Sequence, residues 1–250
     1  MDKKRESRSS LPVLGTSLRT HETIPLLDEE SVKTNLLEKH TKLDDESEGW
    51  RCILDNTSKR GAGALNVSCK IWTKQTDTRL YSKLSTILPV DLKQTRDFIK
   101  QPSNVLKWAL LPYDTWKYTT IRDDNLQGCS YHHIYTNPTW PMARPRECYL
   151  ISTTHYNYGK GSFSVISRSL RGMPLQESRH VPLTINHIGV TVSPIFTHHS
   201  NILPNVCKYT LIQEVAFEAP LLPSSMLYKM RLSGIPKRMP RLVRDVETFY

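Results

Sequence analysis

The stretch that decides the fold is CSYHHIYTNPTWPMARPRECYLISTTHYNYGKGSFSVISRSL, residues 129–170. It contains three runs rich in β-branched and aromatic residues, at 129–136, 146–155 and 161–170. A Pro-rich segment separates the first two runs, and a turn ending in Gly159-x-Gly161 separates the last two. β-Branched and aromatic runs between Pro, Gly and Asn breaks are typical of antiparallel strands. The stretch therefore predicts the centre of an antiparallel sheet.

The residues before this stretch predict a helix, three strands and two short helices. Ser31 is the expected N-cap of the first helix. Its apolar positions follow the 3.6-residue period: Val32, Leu36, Leu37 and Leu43. Strands are predicted at 50–55, 64–72 and 79–87. The helical period returns over 91–111 with an interruption at Pro102-Ser103, and 116–122 opens the next run of strands.

The residues after it predict two more strands and a long terminal helix. One strand covers 181–195, a loop covers 197–204, and the second strand covers 206–218. On that last strand Lys208 and Glu214 are expected on the face opposite the core. The core face carries Cys207, Tyr209, Leu211, Gln213, Val215 and Phe217. The terminal helix has an apolar stripe formed by Leu227, Met230, Ile235, Met239, Leu242, Val246 and Phe249, with a kink expected at 234–236.

One long antiparallel sheet with a single amphipathic helix left over predicts an α+β fold. The sheet, of about nine strands, is expected to curve and grip the C-terminal helix, because both elements have an apolar face to bury. Such an arrangement encloses an elongated apolar cavity. Residues 1–30, rich in Ser, Thr and charge, predict a disordered tail, and residues 31–250 predict one domain.

Net charge and hydropathy limit the classes of binding partner that the sequence predicts. The 250 residues carry a net charge of +10, and the last 28 residues contribute +4, with six Lys or Arg against two acidic residues. A basic amphipathic helix favours contact with an anionic membrane surface, although a solvated helix face is the plainer interpretation. The basic residues follow no nucleic-acid-binding motif, so no nucleic-acid partner is expected. No apolar run approaches the ~18 residues that span a bilayer and no secretion signal is present, so we expect the cytoplasm.

Motifs of catalysis and metal binding are missing from the sequence. It contains no GxSxG, P-loop or GxGxxG. His132 and His133 are adjacent on a predicted strand and therefore point to opposite faces. The five cysteines are dispersed without CxxC spacing, which indicates reduced, buried side chains. We expect neither an enzyme nor a metal site nor a cofactor.

Several local patterns resemble those of the START (StAR-related lipid transfer) domain family. Tyr113-Asp114 lies where the family has Trp-Asp, and Pro141-Met142 begins PMARPRE, which resembles its Pro-Met/Leu-Ser-x-Arg-Asp. Arg168-Ser169 followed by Met173-Pro174 resembles the family's Arg-Ser…Pro turn. The C-terminal SGIPKRMPRLVRDVETFY is similar to the last helix of the phosphatidylcholine-transfer branch. The resemblance covers residues 31–250 and implies the helix-grip fold and lipid carriage.

This sequence differs from the phosphatidylcholine-transfer branch at the positions that bind the lipid headgroup in that branch. Leu110 and Ser152 stand where many members have cavity-facing arginines. The positions of the choline cage fall on Ile134, Cys148 and a residue near Ile188, which cannot supply cation–π attraction. An apolar pocket without a buried arginine suits a sterol, a diacylglycerol-like lipid or a fatty acyl chain better than a phosphate.

The sequence therefore predicts a monomeric carrier that moves one lipid between membranes, or alternatively a START-like interaction module without lipid transfer. The expected lipid-binding residues are Ser130, His132, Ile134, Cys148, Leu150, Ser152, Thr154, Ser167, Tyr209, Leu211, Gln213, Leu227 and Met230. The polar members of this set have an alternative role in cross-strand or backbone hydrogen bonds. Arg146 and Glu147 are expected to form a structural ion pair. The expected membrane contacts are Lys237, Arg238 and Arg241.

Overall fold

The computed structural model describes residues 28–44, 49–55, 69–75, 79–109, 114–124, 128–138, 145–175, 180–197, 200–216 and 238–249. The predictions for the N-terminal tail, for Leu227, Met230 and Lys237, and for the kink at 234–236 lie outside these residues.

Ten strands and four helices make up the described chain. In chain order they are α1 (Glu29–Asp44), β1 (Arg51–Asp55), β2 (Cys69–Gln75), β3 (Leu80–Leu88), α2 (Leu92–Ile99), α3 (Pro102–Ala109), β4 (Asp114–Asp124), β5 (Cys129–Pro138), β6 (Arg146–Asn157), β7 (Ser162–Ser169), β8 (Val181–Pro182), β9 (Thr184–Phe196) and β10 (Ile202–Ala216). The last helix, α4, covers residues 238–247. The predicted α+β class and the order of elements are confirmed.

The strands form one sheet in the order β1-β2-β3-β10-β9-β7-β6-β5-β4. All pairs along this path are antiparallel, and β5, β6 and β7 are the three strands predicted from residues 129–170. The short strand β8 pairs with β6 in parallel, with Arg146 opposite Val181. Within the described residues, no helix has the length and apolarity needed to cross a bilayer.

Three local predictions were wrong. Asp28, not Ser31, caps α1, because the Asp28 carboxylate accepts a hydrogen bond from the Ser31 backbone nitrogen at 3.3 Å. The predicted strand 181–195 is two strands, β8 and β9, interrupted at Leu183. The predicted loop 197–204 is shorter, since Ser200 takes a positive φ of 61° and closes the turn, so that β10 already begins at Ile202.

The helices α2, α3 and α4 pack on one face of the sheet, which we call the concave face. Phe98 and Val105, from α2 and α3, and Leu242 from α4 belong to the same buried cluster as Leu150 and Val190 from the sheet. The predicted apolar positions Met239, Leu242 and Val246 are buried, and so is Val243. This is the predicted helix grip, in which the sheet and its helices bury each other's apolar faces.

The opposite, convex face is covered by α1. Its first half packs Val32 and Leu36 on the sheet, and its last turn packs Leu43 against Tyr81 and Ile212. The sequence pattern predicts this face of β10 as its polar side. Glu214 is instead only 3% exposed and accepts hydrogen bonds from Lys39 of α1 at 3.0 Å and from Asn186 at 2.9 Å. Burial by α1 therefore accounts for the difference.

A buried histidine pair joins the C-terminal half of α1 to the sheet. His40 Nδ1 lies 3.1 Å from His187 Nε2, and His40 Nε2 lies 2.9 Å from the Thr191 hydroxyl. A Cβ atom at Gly189 would lie 2.3 Å from His40 Nδ1, so the glycine allows the helix to approach this closely. Burial lowers the pKa of His40 to about 4 and holds the pKa of His187 well below its ordinary value of 6.5.

This pair predicts acid destabilisation with a defined sign. Above pH 6.5 both histidines are neutral in the folded and unfolded chain, so they add no pH dependence. Below that pH the unfolded chain binds protons that the folded chain excludes, and the free energy of unfolding falls by up to about 1.4 kcal/mol per pH unit for each histidine. For His40 this loss ends near pH 4, where the folded chain also binds the proton. Urea unfolding between pH 7 and pH 5 measures this slope.

The variant His187→Gln should reduce that slope. The matched control is Ser162→Ala, a substitution at a buried position that removes no titrating group, which should leave the slope unchanged. Equal slopes in the wild type and His187→Gln would contradict the assignment to the buried pair.

Candidate functional site

The register of the sheet places the predicted ligand residues of β5 and β6 on the concave face. Ser130 is directly opposite Ser152, and Ile134 is opposite Cys148. Directly opposed residues of antiparallel strands project to the same face. The concave face also holds His132, Leu150, Thr154, Ser167, Tyr209, Leu211 and Gln213. Alternation in the sequence predicts a shared face only for residues of one strand. The register across strands and the division of this face into parts come from the structure.

The structure divides these residues into an apolar part and a polar part. Ile134, Cys148, Leu150, Tyr209 and Leu211 are buried in the cluster that the helices cover. Ser130, His132, Ser152 and Thr154 instead line a cavity of about 430 Å³. The polar part is where the described structure leaves room for a ligand.

The sequence did not predict two walls of this cavity. One wall is β4, which contributes Tyr118 and Thr120. The other is formed by residues 100–103, the connection between α2 and α3 with the start of α3, held by a 2.9 Å hydrogen bond from the Asn104 amide to the Phe98 carbonyl. The Pro102-Ser103 signal was recognised in the sequence, but only as a helix break. Pro102 begins α3, and its place over the sheet depends on the packing of α2.

His132 is a polar group of this cavity that has hydrogen-bonding capacity to spare. Its ring is stacked on Tyr118 with centroids 4.9 Å apart, and its Nε2 lies 2.7 Å from the Ser130 hydroxyl. Its Nδ1 is buried without a hydrogen-bond partner, and the residue is 2% exposed. Burial lowers the pKa of His132 to about 4, so the ring is neutral at pH 7 and has one donor and one acceptor nitrogen.

Other predicted polar residues are bonded within the protein. The Ser152 and Ser167 hydroxyls lie 2.7 Å apart across β6 and β7. The Gln213 amide donates to the Ser82 hydroxyl at 2.9 Å. For these residues the cross-strand role is observed, and a ligand would have to compete with existing bonds. This contrast singles out His132.

Glu147 lies on the convex side and is bonded to two histidines. Its oxygens are 2.9 Å from His133 Nε2 and 2.5 Å from His180 Nδ1, and it is 1% exposed. The expected ion pair with Arg146 stays a prediction. The opposite directions of His132 and His133 are confirmed, since one lines the cavity and the other bonds Glu147. In the described part of the chain, no three His, Cys, Asp or Glu residues are arranged to hold a metal ion.

The assembled fold matches solved START-domain structures. Human StAR-related lipid transfer protein 5 has a TM-score of 0.67 and 13% identity, covering 88% of this chain and 97% of that one. Human STARD10 has a TM-score of 0.64 and 14% identity, and the match covers 92% of this chain and 83% of that one. The lipid transfer and protein localization domain of human StarD13 has a TM-score of 0.56 and 11% identity, and the match covers 89% of this chain and 98% of that one. No protein-family model matches the sequence, and no curated protein matches it.

At these identities the comparisons establish the fold. The chain has the α+β helix-grip fold that the START structures share, with a large antiparallel sheet around a terminal helix. The resemblance to the phosphatidylcholine-transfer branch in particular stays a prediction.

The reactivity of the cysteine thiols can test which side chains are buried on the two faces of the sheet. All five are free thiols, and Cys52, on the edge strand β1, is exposed, which corrects the expectation that all are buried. Burial raises the pKa of Cys148 to about 12 and that of Cys207 to about 11. We expect one thiol to react rapidly with a soluble disulfide reagent in the native protein, and all five to react in denaturant.

The variant Cys52→Ser should remove the rapid phase. A rapid phase that survives this substitution would show that the concave face or the α1 interface opens to solvent.

Proposed function

We propose that this protein binds one lipid between the concave face and the helices, and carries it between membranes. The observation that carries the proposal is the cavity beside β4–β6, whose lining includes His132, a residue with a buried and unpartnered Nδ1. The helix-grip fold supports it, because the solved neighbours include a human protein described as a lipid transfer protein. The cavity volume of about 430 Å³ falls within the range of ~300–1,000 Å³ usual for small-molecule sites.

The chemistry of the wall favours a neutral headgroup. Of the described residues that line the cavity, Lys100 is the one with a permanently positive side chain, and it is paired with Asp97 at 2.8 Å. A neutral His132 offers a hydrogen bond but no charge to a phosphate. An anionic headgroup would therefore lose its hydration without a buried cation to replace it. A sterol or a diacylglycerol-like lipid, whose hydroxyl both donates and accepts, suits either tautomer of His132.

The apolar remainder of such a lipid would lie along the concave face. Ile134, Leu150 and Leu211 lie on that face but are covered by helix side chains, so a long apolar chain would have to displace part of this cover. Each Å² of apolar ligand surface removed from water contributes about 25 cal/mol, so burial supplies most of the affinity and His132 supplies orientation. Leu227 and Met230 remain proposed ligand contacts from the sequence. The proposal assigns no reaction and no cofactor to the site.

Native mass spectrometry of the purified full-length chain, followed by extraction of the bound lipid, tests this function. We expect one lipid per monomer, with a sterol or diacylglycerol-like headgroup. A phospholipid would preserve the carrier function and refute the headgroup argument. A protein that stays empty after incubation with mixed vesicles would refute the carrier function and support an interaction module instead.

His132→Leu provides a matched test of the headgroup contact. The variant should lose about fivefold to tenfold in affinity for a hydroxyl-bearing ligand, the value of one neutral hydrogen bond, and little for the O-methyl ether of the same ligand. Ser164→Ala, on the convex face where it bonds Thr191, is the control and should bind both ligands as the wild type does. An equal loss for both ligands in His132→Leu would mean that the residue only shapes the cavity.

The proposed site of action is the cytoplasmic face of anionic membranes, which the basic side of the terminal helix would meet. Arg241 is exposed on α4, whose buried side carries Leu242 and Val246. Each basic residue near an anionic surface contributes on the order of 1 kcal/mol. Reversal of Lys237, Arg238 and Arg241 to Glu should slow lipid transfer to anionic vesicles and leave lipid loading intact. Equal transfer by this variant would remove the helix from membrane contact.

A further inference from the structure

Exposed apolar side chains are concentrated at one end of the sheet. Seven large apolar residues of the described chain are exposed: Ile53, Ile87, Tyr156, Tyr158, Phe196, Ile202 and Leu203. Ile53 lies on the edge strand β1, and the other six lie at the end formed by the β6–β7 hairpin, the β9–β10 hairpin and the exit of β3. We call these six residues the apolar rim. Clustered exposed apolar groups mark interaction sites, whereas scattered ones do not.

The strand register shows that these segments are neighbours. Tyr156 is opposite Phe163, which is opposite Val192. A Cβ atom at Gly161 would lie 3.5 Å from Pro194, so the β6–β7 turn lies against the end of β9. Phe196 is opposite Ile202 in the next hairpin, and Lys208 is opposite Ile87. The rim is therefore one continuous edge and not three separate loops.

The cavity lies at the same end of the sheet. It is lined by Gly128 and Cys129 at the start of β5, by Thr154 near the end of β6 and by Phe163 at the start of β7. Lys100, Gln101 and Thr120 in its wall are exposed, so the cavity reaches the protein surface beside the rim. A surface that holds this rim would lie next to the entrance that a ligand uses.

The chemistry of the rim suits an anionic bilayer. Tyr156 and Tyr158 contact each other edge to face with centroids 4.5 Å apart, and tyrosine is enriched where bilayers meet water. Exposed Lys93, Lys160 and Lys208 accompany the apolar groups. The nearby Asp91 is the N-cap of α2, accepting from Lys93 N at 2.8 Å, while Asp123 and Asp124 lie on the other edge strand, β4, opposite the cavity-lining residues Ser130 and Cys129.

From these observations we infer that the apolar rim is the surface by which the protein docks on anionic membranes, with its hairpin tips inserted into the headgroup region beside the cavity entrance. The inference rests on the proposed lipid-carrier function and names the contact surface for it. The rim is distinct from the basic start of α4. The end of α4 that contacts α2 is its last turn, where the Gln94 amide donates to the Glu247 carbonyl and Phe98 contacts Phe249. The basic residues Arg238 and Arg241 lie at the other end of that helix. Insertion gains apolar burial, and the lysines add attraction to anionic lipid.

Co-sedimentation of the full-length protein with vesicles of phosphatidylcholine, with and without phosphatidylserine, tests the inference. The triple variant Tyr158→Ser, Phe196→Ser, Ile202→Ser should lower the partition coefficient by about tenfold or more on both vesicle types. The double variant Lys160→Glu, Lys208→Glu should lose about fivefold per lysine on anionic vesicles, and little on neutral ones. Ile53→Ser removes an equally exposed apolar group away from the rim and should bind as the wild type does.

Three results would overturn the inference. They are vesicle binding by the triple serine variant equal to that of the wild type, binding that is lost only on reversal of Arg238 and Arg241, and a wild-type dimer that the triple variant converts to monomers. Circular dichroism and thermal melting confirm that each variant is folded. Native mass spectra of the same samples report bound lipid separately. An empty wild type would therefore refute the carrier function, whereas co-sedimentation decides the docking surface in either case.

Discussion

The rest of the structure depends on covering both faces of one long sheet. Ten strands expose two broad apolar surfaces, and neither can stay in water. The helices α2, α3 and α4 cover the concave face through Phe98, Val105 and Leu242. The first helix covers the convex face, where a buried histidine pair and Gly189 set its distance from β9. Since the central strands are buried on both sides, they form a stiff wall against which a cavity can persist.

The candidate site lies where this cover is least apolar. Over most of the concave face, helix side chains fill the space down to Ile134 and Leu150. Beside β4–β6, serines, threonines and His132 face the α2–α3 connection, and a cavity remains between them. Tyr118 and Ser130 fix the orientation of the imidazole. The site is thus a small polar end to an apolar surface, an arrangement that suits an amphipathic ligand with a small neutral headgroup.

The position of the cavity connects the ligand site with the surface of the protein. The strand ends that line the cavity also lead into the hairpins of the apolar rim, so one end of the sheet carries both features. A carrier has to shield its ligand in water and release it at a membrane. Placing exposed apolar groups beside the entrance would satisfy both requirements, because membrane contact would bring the entrance into an environment that the lipid prefers.

The sequence by itself determined the class, the order of elements and the shared face of Ser130 and Ile134 on one strand, because alternation and helical periodicity are local properties of the chain. The register that puts Cys148 opposite Ile134 comes from strand pairing in the tertiary structure. It did not determine the burial of Glu214, the closeness of His40 to His187, or the part that Tyr118 and residues 100–103 play in the cavity. His40 meets His187, and Lys39 meets Glu214, only because the fold brings together segments more than a hundred residues apart. Tyr118 and residues 100–103 become cavity walls only because α2 packs on the sheet. Only the tertiary structure decides which polar groups find partners there and which, like His132 Nδ1, remain available.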